Sequence, residues 1–245
     1  MASVQRSKPS NHSVMTPAAD VLADILLQRF SCRGYHPDPV PHATIAAMLE
    51  LAQNAASWCN SQPWHVHVTE GAATERLRDA MFGRASADMA AGQMGCEPDL
   101  PFPDNYTGVY KERQREVGWQ LYEAVGVTYG DRVGSAKQML ENFRLFGAPH
   151  ALVITTEKSI GTYGVLDCGS FVGTLLLAAQ SLGVGMIPQA AFANYSPLLR
   201  EFFDISDDRS IVCGASFGWP DLDHPANSFR SRRAELTDAV TWLDK

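Results

Sequence analysis

In residues 17–30 (PAADVLADILLQRF) the apolar side chains Val21, Leu22, Ile25, Leu26 and Phe30 recur at helical spacing, which predicts an amphipathic helix that carries Arg29 to its C-terminal end. The pattern breaks at Gly34. Pro41 suits a helix start, and Ile45, Met48, Leu49 and Ala52 form one stripe of a second helix that stops before Asn60. From Trp64 to Thr69 apolar and polar residues alternate, the two-residue period of a strand, and Glu70-Gly71 closes it. A third helix over about 73–90 ends near Gly92. Residues 92–110, with three prolines, three glycines and several aromatics, read as an irregular loop. Helices follow over 111–125 and 131–146, parted by a turn at Tyr129-Gly130-Asp131. After Gly147-Ala-Pro149 the β-branched run 151–156 suits a central strand. Residues 165–182 are apolar on most sides, which predicts a helix buried in the domain or at a subunit contact, with Gly183 as its stop. Strands over 184–187 and 211–217 enclose a helix at 196–203, and the tail 224–245 carries Pro225, an arginine cluster and a short terminal helix.

Helices and strands mix without a regular βαβ repeat, so the expected class is α+β, a central mixed or antiparallel sheet with helices around it. Residues 17–245 read as a single domain and 1–16 as a flexible N-terminal arm. No internal repeat is present, and no G-x-G-x-x-G follows a strand, which argues against a built-in Rossmann nicotinamide domain.

Composition narrows the function classes. The 245 residues are 45% hydrophobic and 19% charged, with a formal net charge of −7, which speaks against general affinity for nucleic acid or anionic membrane. Any bound anion must therefore meet locally gathered arginines. Cys32, Cys59, Cys96, Cys168 and Cys213 are scattered and contain no C-x-x-C pair, so neither a zinc knot nor a disulfide framework is indicated, and a reducing cytosol fits. The first fifteen residues lack an apolar signal core, and no apolar run was expected to reach the roughly 20 residues of a membrane span. The expected location is cytoplasmic.

Two segments carry candidate chemistry. Arg29-Phe-Ser31-Cys-Arg33 offers two guanidinium forks and a hydroxyl within five residues, a dense supply of charge-assisted donors for a phosphate ester. Alone it also fits a solvated helix end; the tail arginines and the second segment favour phosphate. That second segment, Asn60-Ser-Gln62-Pro63-Trp64, sets short amides beside a rigid Pro-Trp pair where the polar edge of a planar heterocycle can be held, although plain turn and core chemistry fits it too. Together the two suggest a flavin mononucleotide (FMN) site. His65 and His67 share one strand face, but no third metal ligand is spaced to join them, and no metal is expected. Asp167 reads as an N-terminal helix residue satisfying backbone donors, and Cys168 as a buried small hydrophobe. Phe102, Tyr106, Tyr110, Trp119, Tyr122 and Tyr129 either belong to the core or form a lid over a flat aromatic substrate, with 92–130 as the lid region.

In their order along the chain these features resemble the FMN-dependent nitroreductase superfamily. The matching pieces are Arg29-x-Ser31-x-Arg33, the run Ser57 to Trp64, Gly147-Ala-Pro149, Leu175 to Pro188 with Gly183 and Gly185, Phe217-Gly-Trp-Pro220, and Asn227-x-x-Arg230-x-x-Arg233. The resemblance implies a homodimer with two FMN molecules at the subunit interface. Carried over, Arg29, Ser31 and Arg33, with Arg233 and Arg230, hold the phosphate and ribityl chain. Ser57, Asn60 and Gln62 reach the flavin from one subunit, and the backbone of Pro188, Gln189, Ala190 and Ala191 lines the ring from the other, with the Ala190 N–H near flavin N5. Two positions depart from the family: Ala56 stands where a proline is frequent, and Ala190-Ala191 where Glu-Gly is frequent. Both replacements keep a backbone donor.

The implied activity is reduction of nitroaromatic or similar electron-poor aromatic compounds by ping-pong hydride transfer through flavin N5. NADH or NADPH serves as electron donor. No side chain is required as nucleophile or strong base, because the flavin does the chemistry, and Tyr106, Tyr110, Trp119 and Tyr122 are the candidate substrate contacts. The alternatives are a flavin oxidase or desaturase of the same fold, a reductive dehalogenase, or a flavin-binding protein without turnover.

Overall fold

The computed structural model of the chain describes residues 16–93, 95 and 97–244. The expected arm, apart from Thr16, and Cys96 lie outside these residues. Four strands, β1 (Trp64–Thr69), β2 (His150–Glu157), β3 (Gly185–Gln189) and β4 (Arg209–Gly218), form one sheet in the order β1-β2-β4-β3, with every neighbouring pair antiparallel. β2 is buried along all but its last residue because both faces of the sheet are covered. Leu152 and Ile154 point to a core that includes Ile45 and Met48 of helix α2 (His42–Ala52) and Phe171 and Leu175 of α6 (Gly161–Ser181). Ala151 and Val153 point the other way, to Leu77 and Met81 of α3 (Ala72–Ala90) and Leu199 of α7 (Ser196–Phe203). The two-residue period of a strand thus divides one apolar run between two cores. The layout is the expected α+β class.

Helix α1 (Pro17–Gln28) begins where Thr16 Oγ1 accepts from Ala19 N–H at 3.3 Å and Pro17 opens the first turn. It ends two residues short of Phe30. Its apolar stripe is largely uncovered in the protomer: Val21, Leu22 and Leu26 are 61%, 48% and 46% exposed. Helices α4 (Gly108–Ala124) and α5 (Arg132–Leu140) bury no residue.

Four expectations are corrected. The helix expected over 131–146 stops at Leu140, because Phe143 and Leu145 are drawn into the second core and Leu145, Phe146 and Gly147 take φ of 60°, 52° and 76° to turn the chain into β2. Tertiary burial here overrides a helical pattern. Helix α6 starts at Gly161, after the 3₁₀ turn Lys158–Ile160, four residues earlier than expected, so Asp167 sits in its second turn and caps nothing. The segment Lys158–Ser181 is, by length and composition alone, long and apolar enough to cross a membrane, its 24 residues including an 18-residue window of mean hydropathy 1.4, contrary to the expectation that no run reaches that length. One face of it is core, and the other, with Tyr163 and Leu166, is exposed. The expected terminal helix is reduced to a 3₁₀ turn, Leu236–Asp238.

Candidate functional site

After α1 the chain becomes extended at Arg29, and Ser31 forms a parallel bridge to Met186 of β3, with Cys32 N–H donating to Met186 O at 3.3 Å. The close approach depends on Gly185: a Cβ there would lie 2.9 Å from Cys32 Sγ and 2.9 Å from Pro220 Cβ. An extended R-x-S-x-R places Arg29, Ser31 and Arg33 on one side and sends Cys32, fully buried, to the other.

The C-terminal tail is stapled to this segment by Asn227, 3% exposed. Its Oδ1 accepts from Arg33 N–H at 2.7 Å, and its Nδ2 donates to Gly34 O at 2.9 Å and Asp221 O at 2.7 Å. Three residues on, the Arg230 guanidinium stacks over the Phe30 ring at 4.0 Å and donates to Asn227 O at 2.8 Å. Arg233 comes close enough to Arg29 to depress its pKa, after burial, which is the larger cause; burial also depresses Arg33 and Arg230. Arg230 and Arg233 of the tail thus come to the 29–33 segment, where Arg33 Nη1 also donates to Ser31 O at 3.3 Å, but the four guanidiniums open onto different cavities, Arg33 onto one of about 420 Å³ with Val125, Lys137 and His224. Arg29, Phe30, Met186, Pro220 and Arg230 line a cavity of about 370 Å³. Arg233 instead lines a larger one of about 610 Å³ with Arg113, Glu116 and Gln120 of α4, where Arg232 pairs with Glu116 at 3.1 Å.

Along β3 from this segment lie Pro188 and Gln189, the latter roughly 10 Å of strand beyond Met186, and Ala190 and Ala191 open the 3₁₀ turn Ala190–Tyr195 that follows. Gln189 turns its side chain inward, accepting from Ser216 Oγ and donating to Asn142 O at 2.8 Å, while Ala190 is exposed.

Ser57, Asn60 and Gln62 lie elsewhere, in and around the 3₁₀ turn Trp58–Asn60 before β1. Ser57 Oγ accepts from Gln62 N–H at 3.0 Å, and Gln62 Nε2 donates to Asn60 O at 3.2 Å. Ser57 lines a cavity of about 770 Å³ with Thr162, Leu166, Asp167 and Ser170 of α6. The arginine cavity touches the far end of that helix at Leu176 and Gln180, and Asp167 and Gln180 are roughly 20 Å apart along the axis. Within one protomer the two groups do not meet around a small ligand.

Of the aromatic residues, Phe102 packs on the second core, whereas Tyr106, Tyr110 and Trp119 are exposed. Trp119 contacts Tyr122 and Tyr129 at ring-centroid distances of 5.7 and 5.3 Å. The loop before α4 is tied down at Asp99, whose Oδ2 accepts from Arg200 and from Ile211 N–H, both at 2.7 Å. Among the described residues no three His, Cys, Asp or Glu side chains cluster for a metal. The His65 and His67 rings are 4.7 Å apart, and burial, then His65 and Arg209, lower the His67 pKa from 6.5 to about 4. Cys168 is buried, which raises its thiol to about 11, the opposite of activation.

Asn227, Asp167 and Arg209 emerge as organisers of these segments without having been assigned such roles from the sequence. Asn227 carried a signal, its place in the Asn-x-x-Arg-x-x-Arg run. The other two act over more than a hundred residues of separation and carried none.

Residues 26–219 match the model of the Nitroreductase family. A 4-nitrobenzoate reductase of Pseudomonas putida is 34% identical over 217 residues, covering 89% of this chain and 92% of that protein. The 4-nitrobenzoate reductase of Nocardioides sp. is also 34% identical, over 93% of this chain and 92% of its own length. Among solved structures, the FMN-dependent nitroreductase NfnB from Mycobacterium smegmatis, in complex with NADPH, superposes with a TM-score of 0.85 at 30% identity, covering 92% of this chain and 99% of that one.

Proposed function

Because the chain belongs to the nitroreductase family, we propose that it is an FMN-dependent, NAD(P)H-oxidising reductase of nitroaromatic compounds. The observation that carries this reading is the approach of the tail arginines Arg230 and Arg233 to the Arg29–Arg33 segment where it joins β3 at Ser31. The donor set fits the cofactor: like charges brought together in a half-buried place suit a phosphate dianion between them, and the strand leads from there to the exposed Ala190. FMN bound here supplies a two-electron carrier that accepts hydride from the nicotinamide and delivers it to the electron-poor acceptor in a separate binding event.

This chain's own residues supply binding and orientation. Arg29, Ser31, Arg33, Arg230 and Arg233 fix the phosphate end. The backbone at Pro188, Gln189, Ala190 and Ala191 lines the ring, with the Ala190 N–H as donor at the N5 position. Ser57, Asn60 and Gln62 come from a second copy of the chain, which answers their separation from the arginines within one protomer. The exposed stripe of α1 and the Tyr163 and Leu166 face of α6 are the contact surface, and a two-fold contact there completes two equivalent sites. Residues 17–245 act as one domain in the cytoplasm. The segment 92–130 serves as lid, with Tyr106, Tyr110, Trp119 and Tyr122 against the flat acceptor. Since two relatives are named for it, 4-nitrobenzoate is the first acceptor to assay.

Replacing Arg29 and Arg33 together by alanine weakens FMN binding at least a hundredfold, read as loss of the flavin absorbance on desalting. Full retention of flavin by that variant contradicts the phosphate assignment. In the wild type, anaerobic bleaching by NADH or NADPH separates a reductase from an oxidase, which the nicotinamide does not reduce quickly.

A further inference from the structure

We infer that Asp167 is a positioning residue that holds the Trp58–Gln62 turn in a strained shape and so sets the angle at which Ser57, Asn60 and Gln62 meet the flavin; the flavin clause rests on the function proposed above. Asp167 is 6% exposed although charged. Both of its carboxylate oxygens accept from Trp58 N–H at 3.1 Å, and Ser61 Oγ donates to Oδ2 at 3.4 Å. It lies seven residues into α6, so its own helix gives it no donors to cap. Its partners all belong to a segment more than a hundred residues earlier.

That segment is unusual. Cys59, Asn60 and Gln62, none of them glycine, have φ of 49°, 56° and 45°. Left-handed backbone at non-glycine residues persists only where the surroundings over-determine it. Two anchors do so here. Asp167 grips the start of the turn, and at its end Arg209 Nη2 donates to Pro63 O at 3.2 Å while Arg209 Nε is held by Thr155 Oγ1 at 2.8 Å. Between the anchors Asn60 and Gln62 are exposed, with Gln62 Nε2 folded back onto Asn60 O at 3.2 Å, and Trp58 packs on Tyr163 of α6 with ring centroids 4.7 Å apart. The strain therefore keeps polar side chains at the surface beside the cavity, while the core gains nothing from Asn60 or Gln62. Asp167 lines the same 770 Å³ cavity as Ser57, which places the anchor next to the groups it aims.

The test compares Asp167→Ala and Asp167→Asn with wild type in two states. In the apoprotein, hydrogen exchange of the 58–62 amides accelerates at least tenfold in Asp167→Ala and stays near wild type in Asp167→Asn, whose amide oxygen still accepts from Trp58. In the FMN-loaded protein, the FMN dissociation constant rises 10- to 100-fold and kcat falls with KM for 4-nitrobenzoate little changed in Asp167→Ala, with recovery to within about threefold in Asp167→Asn, the range that loss of a hydrogen bond to a charged group produces. Unchanged exchange and unchanged FMN affinity in Asp167→Ala overturn the inference. So does an Asp167→Asn protein that keeps wild-type exchange at 58–62 yet loses FMN as severely as the alanine variant, because charge and not position is then at work. If Asp167→Ala does not fold, the Asn variant and Ser61→Ala carry the same comparison: near-wild-type exchange is expected in the first, and a two- to fivefold rise in the second. No change in Ser61→Ala together with fast exchange in Asp167→Asn overturns the anchor. Wild-type protein that takes up no FMN removes the proposed function and the flavin clause together, while the apoprotein exchange still reports on the anchor by itself.

Discussion

Arg29 is half-buried and close to Arg233, a pairing of like charges that the proposed phosphate would relieve, and Arg33 and Arg230 are likewise desolvated next to aromatic rings. This cluster was legible in the sequence because its first part is local: an extended R-x-S-x-R puts alternate residues on one side, and no distant information is needed to see it. Asp167 was not legible, since its position relative to the helix start shifted by a full turn and its partner Trp58 is remote in sequence. His67 carries a prediction at this scale. Its Nε2 is buried without a partner, and its pKa is lowered from 6.5 to about 4, chiefly by burial. The unfolded chain therefore takes up the proton first, so the stability contribution is complete above about pH 6.5 and is lost as pH falls toward 4. Denaturant midpoints measured across that window decline in wild type and decline less in His67→Phe; identical slopes contradict the assignment.

Elements place the site by their edges and ends. Strand β3 is an edge strand whose open side receives Ser31, and the pairing survives only because Gly185 leaves room for Cys32 and Pro220. The tail has almost no regular structure, yet it holds its arginines in place through one buried amide. Replacing Asn227 by alanine removes the acceptor of Arg33 N–H and the donor to Gly34 O and Asp221 O, and destabilises the protein by about 2–3 kcal/mol. FMN affinity falls with it as Arg230 and Arg233 lose their support. Calorimetry with and without FMN checks both effects, and a variant with unchanged melting and unchanged cofactor affinity contradicts the staple. Periodicity made α1 and β1 readable within a few residues, and an apolar β-branched run did the same for β2. The early end of α5 was not readable, because Phe143 and Leu145 are core residues of a turn that follows a helical pattern. The start of α6 was missed for a related reason: the polar stretch at 158–164 gives no apolar period, and its helical form comes from packing onto the sheet.

At the scale of the molecule, the features divide between two ends of α6, with Arg29 and Arg230 near Gln180 and the Ser57–Gln62 turn near Asp167. The α+β class and the sheet were legible from the mixture of periods, whereas the grouping of these segments into one site is legible from neither the sequence nor a single chain if, as proposed above, a second copy completes it. The exposed apolar residues of α1 and α6 are the surface that this proposal assigns to the contact. The decisive measurement is complementation. Arg29→Ala/Arg33→Ala chains and Asn60→Ala/Gln62→Ala chains, each nearly inactive alone, are co-expressed with different tags, and the mixed dimer is isolated. A shared site leaves one intact and one doubly impaired centre in every mixed dimer, so FMN content and NAD(P)H-driven 4-nitrobenzoate reduction return to about half of the wild-type level per dimer. Mixed dimers no more active or flavin-rich than either parent variant would contradict a flavin site built from two copies of this chain.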